Sequence, residues 1–288
     1  MVSLNSALGI IMKMNRITPQ TPLNEVLELL QRDGYALMED ALSPSQVTEI
    51  SAAYDQQLEK HLAANPPQPD AVRHEIKRIF ERDAAFETLM DNAPVFEVAR
   101  GVLGADIELA TSGELDHKLP RTPAYIGWHN DFQWMTGVPY PRQNFWIRCT
   151  YFISDVTPDG GPFTLLPCSH LTDRVCPSDT AGSTPRHIEG QLGIAGKAGS
   201  CLINNTEIWH TNSPNNSDLP RRLIMMCYKH AWMKQWQDGY QTSSEFAARQ
   251  TDPVRRQLCG EYAWHNSAAN FPAHKTLLGT PEKVAGSE

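Results

Sequence analysis

From Asp106 to about residue 236 the chain changes its hydrophobic period, and that change limits what it can fold into. IELATSGELDHKL, FWIRCTYFISDV, GPFTLLP, SCLINNTEIWH and RRLIMMCYKHAW are short β-rich runs separated by Gly, Pro, Asn and Asp. Many short strands punctuated in this way form an all-β sandwich or barrel. Helices are expected on either side. In TPLNEVLELLQRDG, Thr21 reads as a cap, Pro22 suits the first turn, and Gly34 ends the helix. Tyr35–Met38 reads as a short strand, Ser43 as the cap of a second helix, and 63–70 as a proline-rich loop. Asp83–Leu103 reads as one further helix, stopping at Gly101 or Gly104. The expected plan is a single domain over 1–288: a helical N-terminal layer (1–105), a β core (106–236), a C-terminal cover (237–279) and a disordered tail (280–288).

Composition narrows the function. The 288 residues are 41% hydrophobic and 20% charged, as in a soluble globular protein. A formal net charge of −8 argues against sequence-independent nucleic-acid binding, which needs a basic surface. The six cysteines are scattered without a CxxC pair, which fits reduced thiols in a cytoplasm. MVSLNSALGIIMKMNR has no basic region ahead of its apolar run and reads as non-targeting. No stretch approaches the ~18 apolar residues of a membrane span. The expected partner is a small molecule, with neither nucleic acid nor membrane; composition leaves the oligomeric state open.

The chemistry starts in GWHNDFQWMTGVPYPRQNFWIR, residues 127–148. His129 and Asp131 stand two apart, and on a β-strand both would point to one face. An imidazole beside a carboxylate suits a divalent first-row metal. In a chain with ten histidines such a pair turns up by chance about half the time, so it needs context. His187 and Glu189 form a competing pair, but in a loop-like setting. The best third ligand is His210, which follows a predicted strand. Two imidazoles and one carboxylate leave open positions, as in non-heme Fe(II) oxygenases. Arg221 opens the next strand, with residues 221, 223, 225 and 227 on one face. A buried guanidinium needs an anionic partner and binds carboxylates in a fork. Arg221 has little reason to sit there unless an anion is bound.

Four segments now resemble the phytanoyl-CoA dioxygenase superfamily of Fe(II)/2-oxoglutarate oxygenases, which includes ectoine hydroxylase and natural-product tailoring enzymes. They are LLQRDGYALMEDALSPSQVTEI, HKLPRTPAYIGWHND, SDVTPDGGPFTLLPCSH and KAGSCLINNTEIWHTNSPNNSDLPRR, in family order over about residues 22 to 230. Cys168 stands where the family has glycine in a Pro-Gly-Ser-His turn. The resemblance implies a mainly β fold with flanking helices, whose core is a double-stranded β-helix (a cupin-like jelly-roll). It implies His129, Asp131 and His210 as iron ligands, and Arg221 as partner of the distal carboxylate of 2-oxoglutarate. Lys118, Trp146, Arg148, Thr150 and Thr211 lie in segments that line the cosubstrate pocket in relatives. The implied cofactor is Fe(II), with 2-oxoglutarate and O2 as cosubstrates, and the implied default outcome is hydroxylation, with succinate and CO2 released. Halogenating members replace the carboxylate ligand by a small residue, so Asp131 disfavours that outcome. Desaturation, cyclisation and other oxidative tailoring stay open.

Phe132, Trp134, Met135, Phe145 and Trp232 are the residues expected to meet the substrate, with Phe145 and Ile147 on one side of their strand. No basic cluster for the phosphates of an acyl-CoA is evident, so a small natural product or amino-acid-like compound is the expected substrate. The competing reading is a cupin-like metal protein without oxygenase activity.

Overall fold

The computed structural model describes residues 14–132, 145–177, 185–234 and 239–261. Two sheets face each other. The larger runs in the order β1 (Arg16–Ile17), β2 (Tyr35–Met38), β9 (Cys201–Asn205), β6 (Trp146–Phe152), β11 (Arg221–His230), β5 (Glu114–Lys118) and β3 (Arg73–Lys77). β4 (Ile107–Leu109) pairs with the last residues of β11. The smaller sheet is β10 (His210–Asn212), β7 (Phe163–Leu165) and β8 (Leu192–Ile194). From β6 onward the chain passes between the sheets, large to small and back, which is the winding of a jelly-roll.

Alternation along each strand separates two environments. Ile147, Cys149 and Tyr151 of β6 and Ile224, Met226 and Tyr228 of β11 point outward. They pack under α1 (Leu23–Asp33), α2 (Pro44–Ala64) and α4 (Ala93–Leu103), through side chains such as Leu30, Ile50 and Phe96. Each such large apolar side chain contributes about 1.5–3 kcal/mol by leaving water. On the inner faces Leu37, Phe152, Leu202 and Leu223 meet Phe163, Leu165 and Ile194 of the small sheet. α5 (Ser244–Arg249) and α6 (Pro253–Leu258) add Phe246 and Leu258 to the outer core. Among the described residues no helix is long and apolar enough to cross a membrane.

Local chemistry explains the element ends, with some departures from expectation. Gly34 ends α1 at φ +84°, its N–H donating to Leu30 O at 3.1 Å. Thr21 is not the cap: Pro22 occupies that position, and Thr21 Oγ1 accepts from the Thr18 amide instead. Ser43 does cap α2, in a reciprocal box with Gln46. The 83–103 stretch is not one helix. It breaks into α3 (Ala84–Glu87) and α4, and Pro94 sits in the first turn of α4, where its missing N–H costs nothing. Three strands of the large sheet, β1, β2 and β3, come from before residue 106. The sequence of β3, RHEIK, has a single apolar residue, Ile76, opposite a face of Arg73, Glu75 and Lys77, so its alternation is too short to read.

Candidate metal centre

His129 and Asp131 do not lie on a regular strand. The segment is held by a single antiparallel bridge: the His129 amide donates to His210 O at 3.0 Å, and the His210 amide to His129 O at 2.8 Å. The Asp131 amide donates to Thr206 O at 3.1 Å. These bonds bring the pair against His210, the first residue of β10. Asp131 Oδ1 lies 3.8 Å from His129 Nε2 and 3.6 Å from His210 Nε2, and the three ligand atoms fall within 4.8 Å of one another.

The donor set suits a divalent ion. His129 Nδ1 lies 2.9 Å from Gly127 O, and His210 Nδ1 lies 2.8 Å from Ile208 O. A carbonyl only accepts, so in each ring Nδ1 carries the hydrogen and Nε2 presents its lone pair. Burial lowers both imidazole pKa values, that of His210 far below the ordinary range, helped by His129 and Arg148. Both rings are therefore neutral, the form that binds metal. Phe163 stacks on His210 with centroids 4.9 Å apart. Arg148, on β6 with 17% of its side chain exposed, donates from Nη2 to Asp131 Oδ2 at 2.7 Å, and its Nη1 lies 3.0 Å from His210 Nε2.

The three ligands open onto one cavity, whose other walls include Arg73, Glu75, Glu114, Asp116, Tyr125, Phe132, Trp146, Arg148, Thr211 and Arg221. Arg221 is buried there, but its charge already has a partner. It pairs with Asp116 through a close Nη2 contact, and its Nη1 donates to Gly161 O at 2.6 Å. Its Nε has no hydrogen-bond partner among the described residues. The expectation that only a bound anion would explain Arg221 is thus corrected: the fold supplies an internal carboxylate. That carboxylate also accepts from the Tyr125 hydroxyl at 2.9 Å.

Of the other expected cosubstrate residues, Trp146 and Thr211 line the cavity, and Thr211 Oγ1 donates to Ile126 O. Lys118 and Thr150 do not line it. Lys118 stands opposite Arg221 in register, with Nζ donating to Pro123 O at 2.6 Å. Its pKa is pushed down to about 8, by burial and then by Arg221. The Thr150 hydroxyl is buried on the inner face of β6 and has no hydrogen-bond partner among the described residues.

On the substrate side, Phe132 lines the cavity. Phe145 packs edge-on to Phe132 and to Trp232, and Trp232 is 67% exposed. Ile147 is on the outer face, so the expected pairing of Phe145 with Ile147 is corrected: Trp146 and Arg148 are the inward residues. Trp134 and Met135 lie outside the described residues. His187 and Glu189 join no metal-ligand group among the described residues. The sequence reading missed Asp116 and Glu114, although both share the inward face with Lys118 at spacings of two and four.

Residues 30–223 match the phytanoyl-CoA dioxygenase family. The ectoine dioxygenase of Nocardia farcinica is 26% identical over 242 residues, 71% of this chain and 77% of that protein. A non-heme alpha ketoglutarate dependent carbocyclase from nogalamycin biosynthesis, SnoK, superposes with a TM-score of 0.59 at 18% identity, covering 78% of this chain and 92% of its own. HygX from Streptomyces hygroscopicus, solved with nickel and 2-oxoglutarate bound, gives 0.58 at 14% identity, over 74% of this chain and 89% of its own. At those identities the two structures speak for the fold, the jelly-roll described above.

Proposed function

This chain belongs to the phytanoyl-CoA dioxygenase family, and from that premise we propose that it is an Fe(II)- and 2-oxoglutarate-dependent oxygenase that hydroxylates an unactivated C–H bond of a small molecule. The observation that carries the reading is the cluster of His129, Asp131 and His210 at the wall of a cavity that Arg221 also lines. The iron, once bound, supplies O2 activation coupled to decarboxylation of 2-oxoglutarate to succinate and CO2. The protein's part is placement. The carbonyls of Gly127 and Ile208 hold both imidazoles in the ligating tautomer. Arg221, at the wall of the cavity, offers the distal carboxylate of 2-oxoglutarate a buried guanidinium. Phe132, Trp146 and Phe163 exclude water near the ligands.

The polar wall formed by Arg73, Glu75 and Glu114 supports a substrate with hydrogen-bonding groups over a fatty acyl thioester. A tailoring step of secondary metabolism, such as the nogalamycin biosynthesis to which SnoK belongs, is the proposed setting, and six free cysteines suit the cytoplasm. The test has two stages. Anaerobic addition of Fe(II) and 2-oxoglutarate should produce their visible absorption band in the wild type and not in His129→Ala. Succinate release is then screened against small molecules bearing amine, hydroxyl or carboxylate groups. An identical band in His129→Ala would remove the triad from the site. A wild type with no band would leave a jelly-roll metal protein without oxygenase activity.

A further inference from the structure

The two oxygens of Asp131 face different things. Oδ1 points to both imidazole Nε2 atoms, at 3.8 and 3.6 Å, whereas Oδ2 accepts from Arg148 Nη2 at 2.7 Å. Arg148 cannot easily be pulled away. It rises from the middle of β6, paired to β9 at Asn204 and to β11 at Cys227, and its guanidinium lies 6.0 Å over the Phe163 ring. A guanidinium with only 17% of its side chain exposed loses much of its compensation when its carboxylate leaves, which favours keeping the Arg148–Asp131 pair as a metal binds.

Resting on the proposed iron site, we propose that Arg148 is a positioning residue that holds Asp131 to one-oxygen ligation and so keeps one coordination position open. An octahedral ion held by two imidazoles and one carboxylate oxygen has three positions left, which the two-point chelation of a 2-keto acid and one O2 use completely. A carboxylate that ligated through both oxygens would take one of the three. Nothing about Asp131 alone prevents this, because carboxylates bind metals in either mode. The guanidinium fork prevents it by occupying Oδ2. Arg148 Nη1 also lies 3.0 Å from His210 Nε2, the atom the metal needs. Metal loading therefore exchanges that one contact and leaves the pair with Asp131 in place.

The test uses the full-length protein and Mn(II), whose bound waters are counted by water-proton relaxation, in wild type, Arg148→Gln and Arg148→Lys. The wild type should retain about three waters on the bound ion, and Arg148→Gln about two, a fall of about one third in relaxivity per site. The lysine variant, with one ammonium donor for Oδ2, should return toward the wild-type value. In the same samples 2-oxoglutarate affinity should fall by about tenfold or more in Arg148→Gln, while Mn(II) affinity changes by less than about threefold. Three results would overturn the proposal. Unchanged relaxivity with weaker 2-oxoglutarate binding would mean that Arg148 contacts the cosubstrate directly. Mn(II) affinity lowered by about tenfold or more in both variants would mean that it merely builds the triad. No change in any variant would leave Arg148 without this role. A wild type that binds no Mn(II) would instead count against the metal site itself.

Discussion

Arg221 and Asp116 sit on adjacent strands with 2% and 0% of their side chains exposed. Any dicarboxylate that docks on Arg221 must therefore share or displace an internal carboxylate that is already desolvated. Asp116→Asn should tighten 2-oxoglutarate binding by about tenfold or more, equivalent to ~1.4 kcal/mol. The same variant should melt earlier without cosubstrate, since a buried guanidinium is left unpaired, and show a larger upward shift when 2-oxoglutarate is added. Calorimetric titration of the metal-loaded protein checks this, and weaker binding would show that Asp116 instead orients Arg221. The sequence made the inward face of Arg221 readable through strand alternation, but not its partner. Asp116 lies 105 positions earlier in the chain, and no local pattern pairs β5 with β11. The ligand triad was legible for a different reason: its residue types are restricted by the metal, whereas a charge inside a cavity can be answered by any opposite charge that the topology delivers.

At the scale of elements, regular strands and capped helices could be read, and irregular connections could not. The run of β6 and β11 shows in its apolar and aromatic composition, and the ends of α1 and α2 show in Gly34 and Ser43. The piece carrying His129 and Asp131 looked like a strand, yet it has only one bridge, because its backbone bonds go to His210 and Thr206 rather than to a ladder. The turn after β7 is another irregular element, and it carries strain. Cys168 sits at φ +63°, left-handed backbone where a Cβ is crowded, in the position the family gives to glycine. Relief of that crowding, about 1–2 kcal/mol, exceeds the extra chain entropy glycine brings, about 0.5–1 kcal/mol. The long Cys168 Sγ contact to Asp33 Oδ1, at 3.7 Å, offsets little. Cys168→Gly should therefore raise the melting temperature by about 1–3 °C. The metal ligands do not touch this turn, so Mn(II) affinity should be unaffected. A lowered melting temperature would show that the sulfur contact outweighs the strain.

Across the whole molecule, the interior holds titratable groups that pull stability in opposite directions with pH. His117, on β5 beside Tyr54 of α2, is pushed down to about 4 by burial and then by His74 and Arg222. His74, His129, His170 and His210 are lowered as well, each by burial first. In the unfolded chain these rings titrate near 6.5. A group whose folded pKa lies below its unfolded one favours folding above the unfolded value and loses that contribution as pH falls toward the folded one. The metal-free fold should therefore weaken as pH drops below about 6.5, through the window reaching about 4 for His117. Glu114 does the reverse. Burial, with Glu75 and Asp116 nearby, pushes it up to about 8, so the folded state holds a proton that the unfolded carboxyl releases near 4.3. Its contribution is complete below the unfolded value and is lost as pH rises toward about 8. Between about 4.5 and 6.5 five histidines oppose one glutamate and decide the sign; from 6.5 to 8 the histidines are already neutral in both states, and Glu114 sets the slope. Metal-free protein should thus be most stable near pH 6.5 and lose up to about 1.4 kcal/mol per pH unit above it. Melting curves from pH 5 to 8, recorded with chelator, test this against Glu114→Gln. The variant should keep the acid limb and lose the descent between 6.5 and 8. Parallel curves for the two proteins would mean that Glu114 is ionised in the fold, and the alkaline limb would then need another source.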